Sequence, residues 1–330
     1  MHTQSYILGF GYYVPERVLT NAQLEGMVDT SDEWITTRTG IKERRMANDG
    51  QSCSDLALQA TKKALDHAGM QAGQLTHILV ATFTPDYCEP TTACLLQSKL
   101  GAGKSMMAMD LAAGCSGFTY GLDMARALVA VRPEAAVLVV GSEVCTSRVN
   151  FQDRNTCVLF GDGAGAAIVS GRGENHPRIM DTLLRADGNL GGLLPVGQEG
   201  NSARPFTLGQ AVSEDYFIQM NGRELFRHAV RGMAELTWEI LDRNGLRIED
   251  IDLFIPHQAN MRIIEALAKK LNCSMNKVYV NVHRYGNTSA ASVGIALGEA
   301  AAVERIQPGN KVLLVSFGAG LTWGATLLQF

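Results

Sequence analysis

The chain has 330 residues, of which 46% are hydrophobic and 19% charged, and its formal net charge is −4. That composition is ordinary for a globular protein, the negative balance argues against a general nucleic-acid binder, and no apolar run reaches the roughly 18 residues that a membrane span needs. The length exceeds that of a typical single domain, so two domains are expected.

Residues 1–5 lack the basic segment and long apolar core of a secretory signal. Seven cysteines, an odd number with no Cys-x-x-Cys, read as free thiols of a reducing cytoplasm. With seven scattered histidines, they leave metal binding little support.

In chain order, Tyr6–Gly11 reads as a strand, and Asp32–Gly40 as a short helix turning into a loop. Ser54–Ala68 reads as an amphipathic helix. Leu56, Ala60, Ala64, Leu65 and Ala68 share one face, and Gly69 stops it. Ile78–Ala81 is a buried strand, and a loop with Pro85 and Pro90 leads to a helix near Cys94–Leu100. The apolar run Met106–Met109 precedes Gly114-Cys115-Ser116-Gly117, which opens onto a helix through Leu128. Ala136–Val140 is a strand ending in Gly141-Ser142-Glu143. Gly161-Asp162-Gly163-Ala164-Gly165 leads into the strand Ala166–Val169. It opens no helix, so it reads as close backbone packing and not as a phosphate loop.

The second half repeats the plan. A helix covers Glu224–Asn244 and stops at Gly245, then come the strand Leu253–Ile255, a helix over Met261–Leu271 and a strand over Lys277–Val280. A small-residue helix follows from Gly286 to Ala300, then the strand Val312–Val315. Gly69 recurs as Gly245, Val137 as Val312 and Cys115 as Asn287, each about 175 residues on, too long a period for a solenoid. We therefore expect an α/β fold of two duplicated half-domains, 1–171 and 172–330, with mixed, mainly parallel sheets and helices packed in layers.

Cys115 falls at a strand-to-helix corner, where free amides and the helix dipole favour a thiolate. On spacing alone it reads equally well as a buried structural cysteine. The repeat sets Asn287 at the equivalent corner, and His257 follows a strand in Pro256-His257-Gln258-Ala259-Asn260. Three chemically able residues at three strand ends favour a shared site.

At these residues the sequence resembles the thiolase-fold condensing enzymes, and most closely the β-ketoacyl-acyl-carrier-protein synthase III family. The resemblance runs end to end. It includes Ser31-Asp32-Glu33-Trp34-Ile35, Ala113-Gly114-Cys115-Ser116-Gly117-Phe118, Gly286-Asn287-Thr288-Ser289 and Phe317-Gly318-Ala319-Gly320-Leu321-Thr322-Trp323-Gly324. It implies catalysis by Cys115, His257 and Asn287, with the backbone amides of Cys115 and Ala319 as an oxyanion hole. It implies CoA contacts from Trp34, Arg38, Arg154, Phe226, Ala259, Asn260 and Ile263. Carrier-protein docking would fall to Gln258, Arg262, Lys269 and Lys270.

The reaction implied is a decarboxylative Claisen condensation through an acyl-Cys intermediate. An acyl-CoA primer, acetyl-CoA by resemblance, condenses with malonyl-acyl carrier protein to begin fatty acid synthesis. The CoA thioester is a substrate, and no cofactor or metal is implied. A cytoplasmic homodimer is implied, with no nucleic-acid or membrane partner. The alternative is a related synthase of secondary metabolism with another primer. One departure bears on the primer: Glu89 stands before Pro90, where the family commonly has an apolar residue facing the partner's acyl pocket. A carboxylate there is costly unless paired or solvated.

Overall fold

The computed structural model describes residues 4–197 and 216–330. Its centre is a nine-stranded sheet ordered β5-β4-β6-β7-β1-β8-β11-β10-β9. The strands are β1 Ser5–Tyr13, β4 His77–Ala81, β5 Met107–Leu111, β6 Ala136–Glu143, β7 Gly163–Ser170, β8 Arg178–Ala186, β9 Leu253–Pro256, β10 Lys311–Gly318 and β11 Thr322–Gln329. A separate pair joins β2 Val18–Thr20 to β3 Glu43–Arg45.

The strand order is symmetric about the β1–β8 contact. From the centre outward, β1-β7-β6-β4 on one side matches β8-β11-β10-β9 on the other. β5, beyond β4, has as its counterpart only a single parallel bridge from Phe254 to Val278. The strand expected over Lys277–Val280 is thus corrected. Met275–Lys277 forms a 3-10 turn, and one bridge replaces a ladder.

Parallel pairing holds for β4 with β5 and β6, and for β9 with β10. The pairs through the middle are antiparallel. Mainly parallel sheets were expected from the alternation of helices and strands. The antiparallel share arises because β7 and β11 return beside β6 and β10 with no covering α-helix between them.

Strand alternation sorts the core into layers. Val137 and Val139 of β6 and Val312 and Leu314 of β10 share one apolar cluster with α5 (Gly117–Val131) and α9 (Ala291–Ala302). Leu138 and Val140 point the other way, onto α3 (Cys53–Ala68) and α4 (Thr92–Lys99). Leu313 and Val315 face α6 (Gly222–Arg243) and α7 (Met261–Leu271). So α5 and α9 are the inner helix layer, and each follows a corner that carries a predicted site residue. α9 begins at Ala291, later than the expected Gly286, because Gly286–Ala290 first turns past the end of β6. Two short helices complete the N-terminal part, α1 Asn21–Glu25 and α2 Asp32–Thr39, and α8 Val282–Tyr285 precedes the Asn287 corner.

The glycines of 161–165 pack as the sequence suggested. A Cβ on Gly161 would lie 2.3 Å from the Tyr285 carbonyl oxygen. Asp162 is buried there and accepts from Thr146 and from the Ala47 amide. Among the described residues no helix is long and apolar enough to cross a membrane.

Candidate active site

Cys115 lies in the 3-10 turn Gly114–Ser116, between the end of β5 and the start of α5. This corner is tied to the loop between β10 and β11. The Ser116 hydroxyl donates to the Thr322 carbonyl at 2.9 Å, and the Thr322 hydroxyl donates to the carbonyls of Ala113 at 2.8 Å and Ala319 at 3.0 Å. The approach leaves no room for a side chain on Gly318, whose Cβ would sit 2.4 Å from the Cys115 nitrogen. The amide of Ala319 borders Gly114 in the same way. The two backbone N–H groups named for the oxyanion hole therefore sit on facing segments.

The Cys115 residue is only 7% exposed. Burial pushes its thiol up to about 11, with Glu143 adding to the effect and the Ser289 hydroxyl opposing it. Desolvation therefore works against the thiolate that the free amides and helix dipole were expected to favour.

His257 follows β9, and its amide donates to the Val315 carbonyl at 2.7 Å. Its Nδ1 lies 3.0 Å from the Ser292 hydroxyl, which also accepts from the Gln258 amide. Burial lowers the imidazole to about 4, so it is neutral near pH 7. Asn287 is held against the chain leaving Leu159. Its amide donates to the Leu159 carbonyl at 2.8 Å, and its own carbonyl accepts from the Gly161 amide at 3.1 Å. The Asn287 Oδ1 accepts from the Ser289 amide at 2.9 Å, which turns Nδ2 outward as a donor. The segment Asn287–Ser292 carries one predicted residue and reaches the other two: the Ser289 amide holds Asn287, Ser292 lies against His257, and Ser289 lines a cavity with Cys115.

Cys115 and Ser289 line an inner cavity of about 270 Å³ with Phe83, Phe160 and Ile218. The residues after β7 and before α6 that close this apolar pocket, Leu194, Val196 and Ile218, carry no motif, and sequence reasoning missed them.

Four of the predicted CoA residues, Trp34, Arg38, Phe226 and Asn260, line an outer recess of about 670 Å³, together with Arg262. The guanidinium groups of Arg38 and Arg154 lie 4.7 and 5.2 Å from the centre of the Trp34 ring. Arg154 also donates to the Asp29 carbonyl at 3.0 Å. Asn260 caps α7 by accepting from the Arg262 amide at 2.8 Å. Ala259 is half-buried, and Ile263 packs on the core below. The stretch Val158–Phe160 separates the two spaces: Val158 and Leu159 face the recess and Phe160 the cavity.

Arg262, Lys269 and Lys270 are exposed along α7, with the Lys270 ammonium 5.6 Å from the Trp238 ring centre. Gln258 does not join them, and its docking assignment is corrected. It is 1% exposed. Its amino group donates to the carbonyls of Pro256 and Tyr279, and its oxygen accepts from the amides of Asn281 and Val282. Glu89 is exposed on its loop and does not line the inner cavity of its own chain.

A layered α/β fold that sets a cysteine after β5, a histidine after β9 and an asparagine after α8 is that of a thiolase-like condensing enzyme. Comparison with known proteins carries this further. Family models described as 3-oxoacyl-[acyl-carrier-protein] synthase III match residues 109–188 and, for the C-terminal part, 241–330. A β-ketoacyl-[acyl-carrier-protein] synthase III of Oleidesulfovibrio alaskensis is 55% identical over 332 residues, covering 100% of both chains. The crystal structure of 3-oxoacyl-[acyl-carrier-protein] synthase III from Aquifex aeolicus matches with a TM-score of 0.90 at 47% identity, covering 99% of this chain and 100% of that one. The priming β-ketosynthase of the R1128 polyketide pathway matches with a TM-score of 0.90 at 32% identity, covering 98% and 96%. The chain belongs to the β-ketoacyl-[acyl-carrier-protein] synthase III family.

Proposed function

We propose that the enzyme condenses an acyl-CoA primer, acetyl-CoA first among them, with malonyl-acyl carrier protein, giving 3-oxoacyl-carrier, CoA and CO₂ and starting fatty acid synthesis. Cys115 attacks the thioester and becomes acylated. The amides of Cys115 and Ala319 hold the oxyanion. After CoA leaves, the malonyl group loses CO₂, and His257 with Asn287 donates to the enolate oxygen. A neutral imidazole suits this role. If Ser292 donates to Nδ1, the proton sits on Nε2 and is free for the substrate. Asn287 donates without needing to titrate. The enolate carbon then attacks the acyl-Cys.

The observation that supports this reading is that the segment Asn287–Ser292, which carries Asn287, also lies against His257 and lines the cavity of Cys115. CoA would lie in the outer recess, its adenine between Trp34 and Arg154. Arg154 must swing away from Trp34 to admit a ring, because it covers the indole directly. Arg38, Phe226, Ala259, Asn260 and Ile263 would line the path inward. Arg262, Lys269 and Lys270 offer positive charge to an acidic carrier. The fold divides functionally at 171/172, between β7 and β8, with the nucleophile on one side and His257 and Asn287 on the other.

A homodimer fits β5, an edge strand whose residues are at most half-buried, with Met107 38% exposed. Asp110 of that strand accepts the first amides of α4, just after the Glu89 loop. Pairing β5 with a second copy would bring Glu89 towards the partner. The test is a division of labour. His257→Ala and Asn287→Ala should each accept an acyl group on Cys115 and fail to decarboxylate malonyl-carrier. Loss of acylation with retained decarboxylation would reverse the assignment.

A further inference from the structure

The short pair of β2 and β3 carries one large side chain into the interior. Arg44 stands opposite Leu19 in that pair and is 0% exposed. One terminal nitrogen of its guanidinium donates to the Leu19 carbonyl at 3.1 Å and to the Asn21 Oδ1 at 2.9 Å. The other donates to the Val158 carbonyl at 2.8 Å, on a segment 114 positions away. All three acceptors are uncharged. Burying a cation among neutral acceptors is costly. What the arrangement supplies is geometry, because a planar guanidinium aims its donors in fixed directions.

The near side of this fork is anchored. The Asn21 amino group donates to the Ile41 carbonyl and to Asp32, each at 2.8 Å. The far side holds the segment on which Asn287 rests. Both backbone groups of Asn287 are spent there, its amide on the Leu159 carbonyl and its carbonyl on the Gly161 amide. Phe160 and Asn287 form an isolated parallel bridge. The Arg44 stem lies under both pieces of chain: a Cβ on Gly161 would sit 3.1 Å from the Arg44 Cβ, and one on Gly286 would sit 3.3 Å from it. The Arg45 carbonyl accepts from the Asp162 amide at 2.9 Å, so β3 brackets residues 158–162.

We propose that Arg44 is a positioning residue for decarboxylation. By holding the Val158 carbonyl it fixes the segment against which Asn287 is registered, and so where Asn287 Nδ2 meets the malonyl thioester oxygen. Arg44 lines neither the inner cavity nor the outer recess, so it acts through the chain and touches no substrate. The Cys115 corner is tied to Thr322 instead, and acylation does not depend on this link.

The proposal rests on the reading of Asn287 as a donor to the enolate, and its test separates the two. Arg44→Met and Arg44→Lys are compared with the wild type in two partial reactions, each well below the variant's melting temperature. One is CoA release from saturating acetyl-CoA, so that any change in binding at the recess drops out of the rate. The other is CO₂ release from malonyl-acyl carrier protein. Arg44→Met should release CO₂ about 10²-fold more slowly, the order of effect for displacing a reacting group by about 1 Å, with CoA release near the wild-type rate. Arg44→Lys keeps the charge but gathers its donors at one point, and should recover part of the CO₂ release. A fall of both partial reactions by the same factor, or wild-type rates in both, would overturn the proposal. So would failure of both variants to fold, which would assign Arg44 to fold stability alone. A wild type that releases no CO₂ from malonyl-carrier would instead overturn the functional reading itself.

Discussion

Replacing Gly318 by alanine puts a methyl where the nucleophile's backbone already stands. The new Cβ would meet the Cys115 nitrogen at 2.4 Å, its Cβ at 2.8 Å and its Cα at 3.0 Å. Non-bonded carbon contacts prefer about 3.5–4.0 Å, so the two segments must part by about 1 Å. Overpacking of this kind costs about 1–3 kcal/mol. For a chain of this size that is a fall in melting temperature of several degrees. The effect on rate should be larger, because a displacement of about 1 Å at a reacting centre costs on the order of 10²-fold. It also moves the Cys115 and Ala319 amides apart, so the oxyanion would lose a donor. Calorimetry and the rate of CoA release from acetyl-CoA measure the two effects. Gly73→Ala is the control, since a Cβ there meets nothing within 4 Å. If Gly318→Ala melted and acylated like the control, the close facing of these segments would be wrong, and the oxyanion assignment with it.

Gln258→Ala should destabilise the fold by at least about 1–3 kcal/mol in urea unfolding, because the Asn281 and Val282 amides are left buried without their acceptor. Normal stability with a raised KM for malonyl-carrier would return Gln258 to a docking surface. Arg262→Glu should raise the KM for malonyl-carrier several-fold, more so at low salt, with a smaller change for acetyl-CoA. Equal loss for both substrates would assign Arg262 to the CoA recess it also lines. Glu89→Phe should leave acetyl-CoA use intact and change activity with four- to eight-carbon primers. An unchanged primer profile would mean that residue 89 does not reach an acyl pocket.

The sequence made the element order legible because periodicity reports burial directly. α7 has the bounds read from its pattern, and α3 differs by one residue. The internal repeat pointed to Cys115 and Asn287 as equivalent corners, and their corners do precede the two inner helices. Sequence pattern failed where a residue's surroundings come from distant segments. Val278 has strand-like neighbours but pairs only once, at Phe254. Gln258 looks like a surface amide beside His257, yet its four partners come from the end of β9 and from residues 279–282. The Cys115 corner suggested a thiolate, but a dipole argument read from one helix does not include the burial of the sulfur against the distant Gly318 segment, which acts the other way. Trp34 and Arg154 are 120 positions apart, and only the resemblance brought them together; the structure then sets one over the other.

The central claim is that Cys115 carries the acyl group between two substrates. Mass spectrometry of the protein after incubation with acetyl-CoA, followed by a chase with malonyl-acyl carrier protein, tests it directly. One acetyl group should appear, map to the peptide containing Cys115 and be absent from Cys115→Ser. The chase should remove it as 3-oxobutyryl-carrier appears. An acetyl group on another cysteine, or one on Cys115 that the chase leaves in place, would contradict the account.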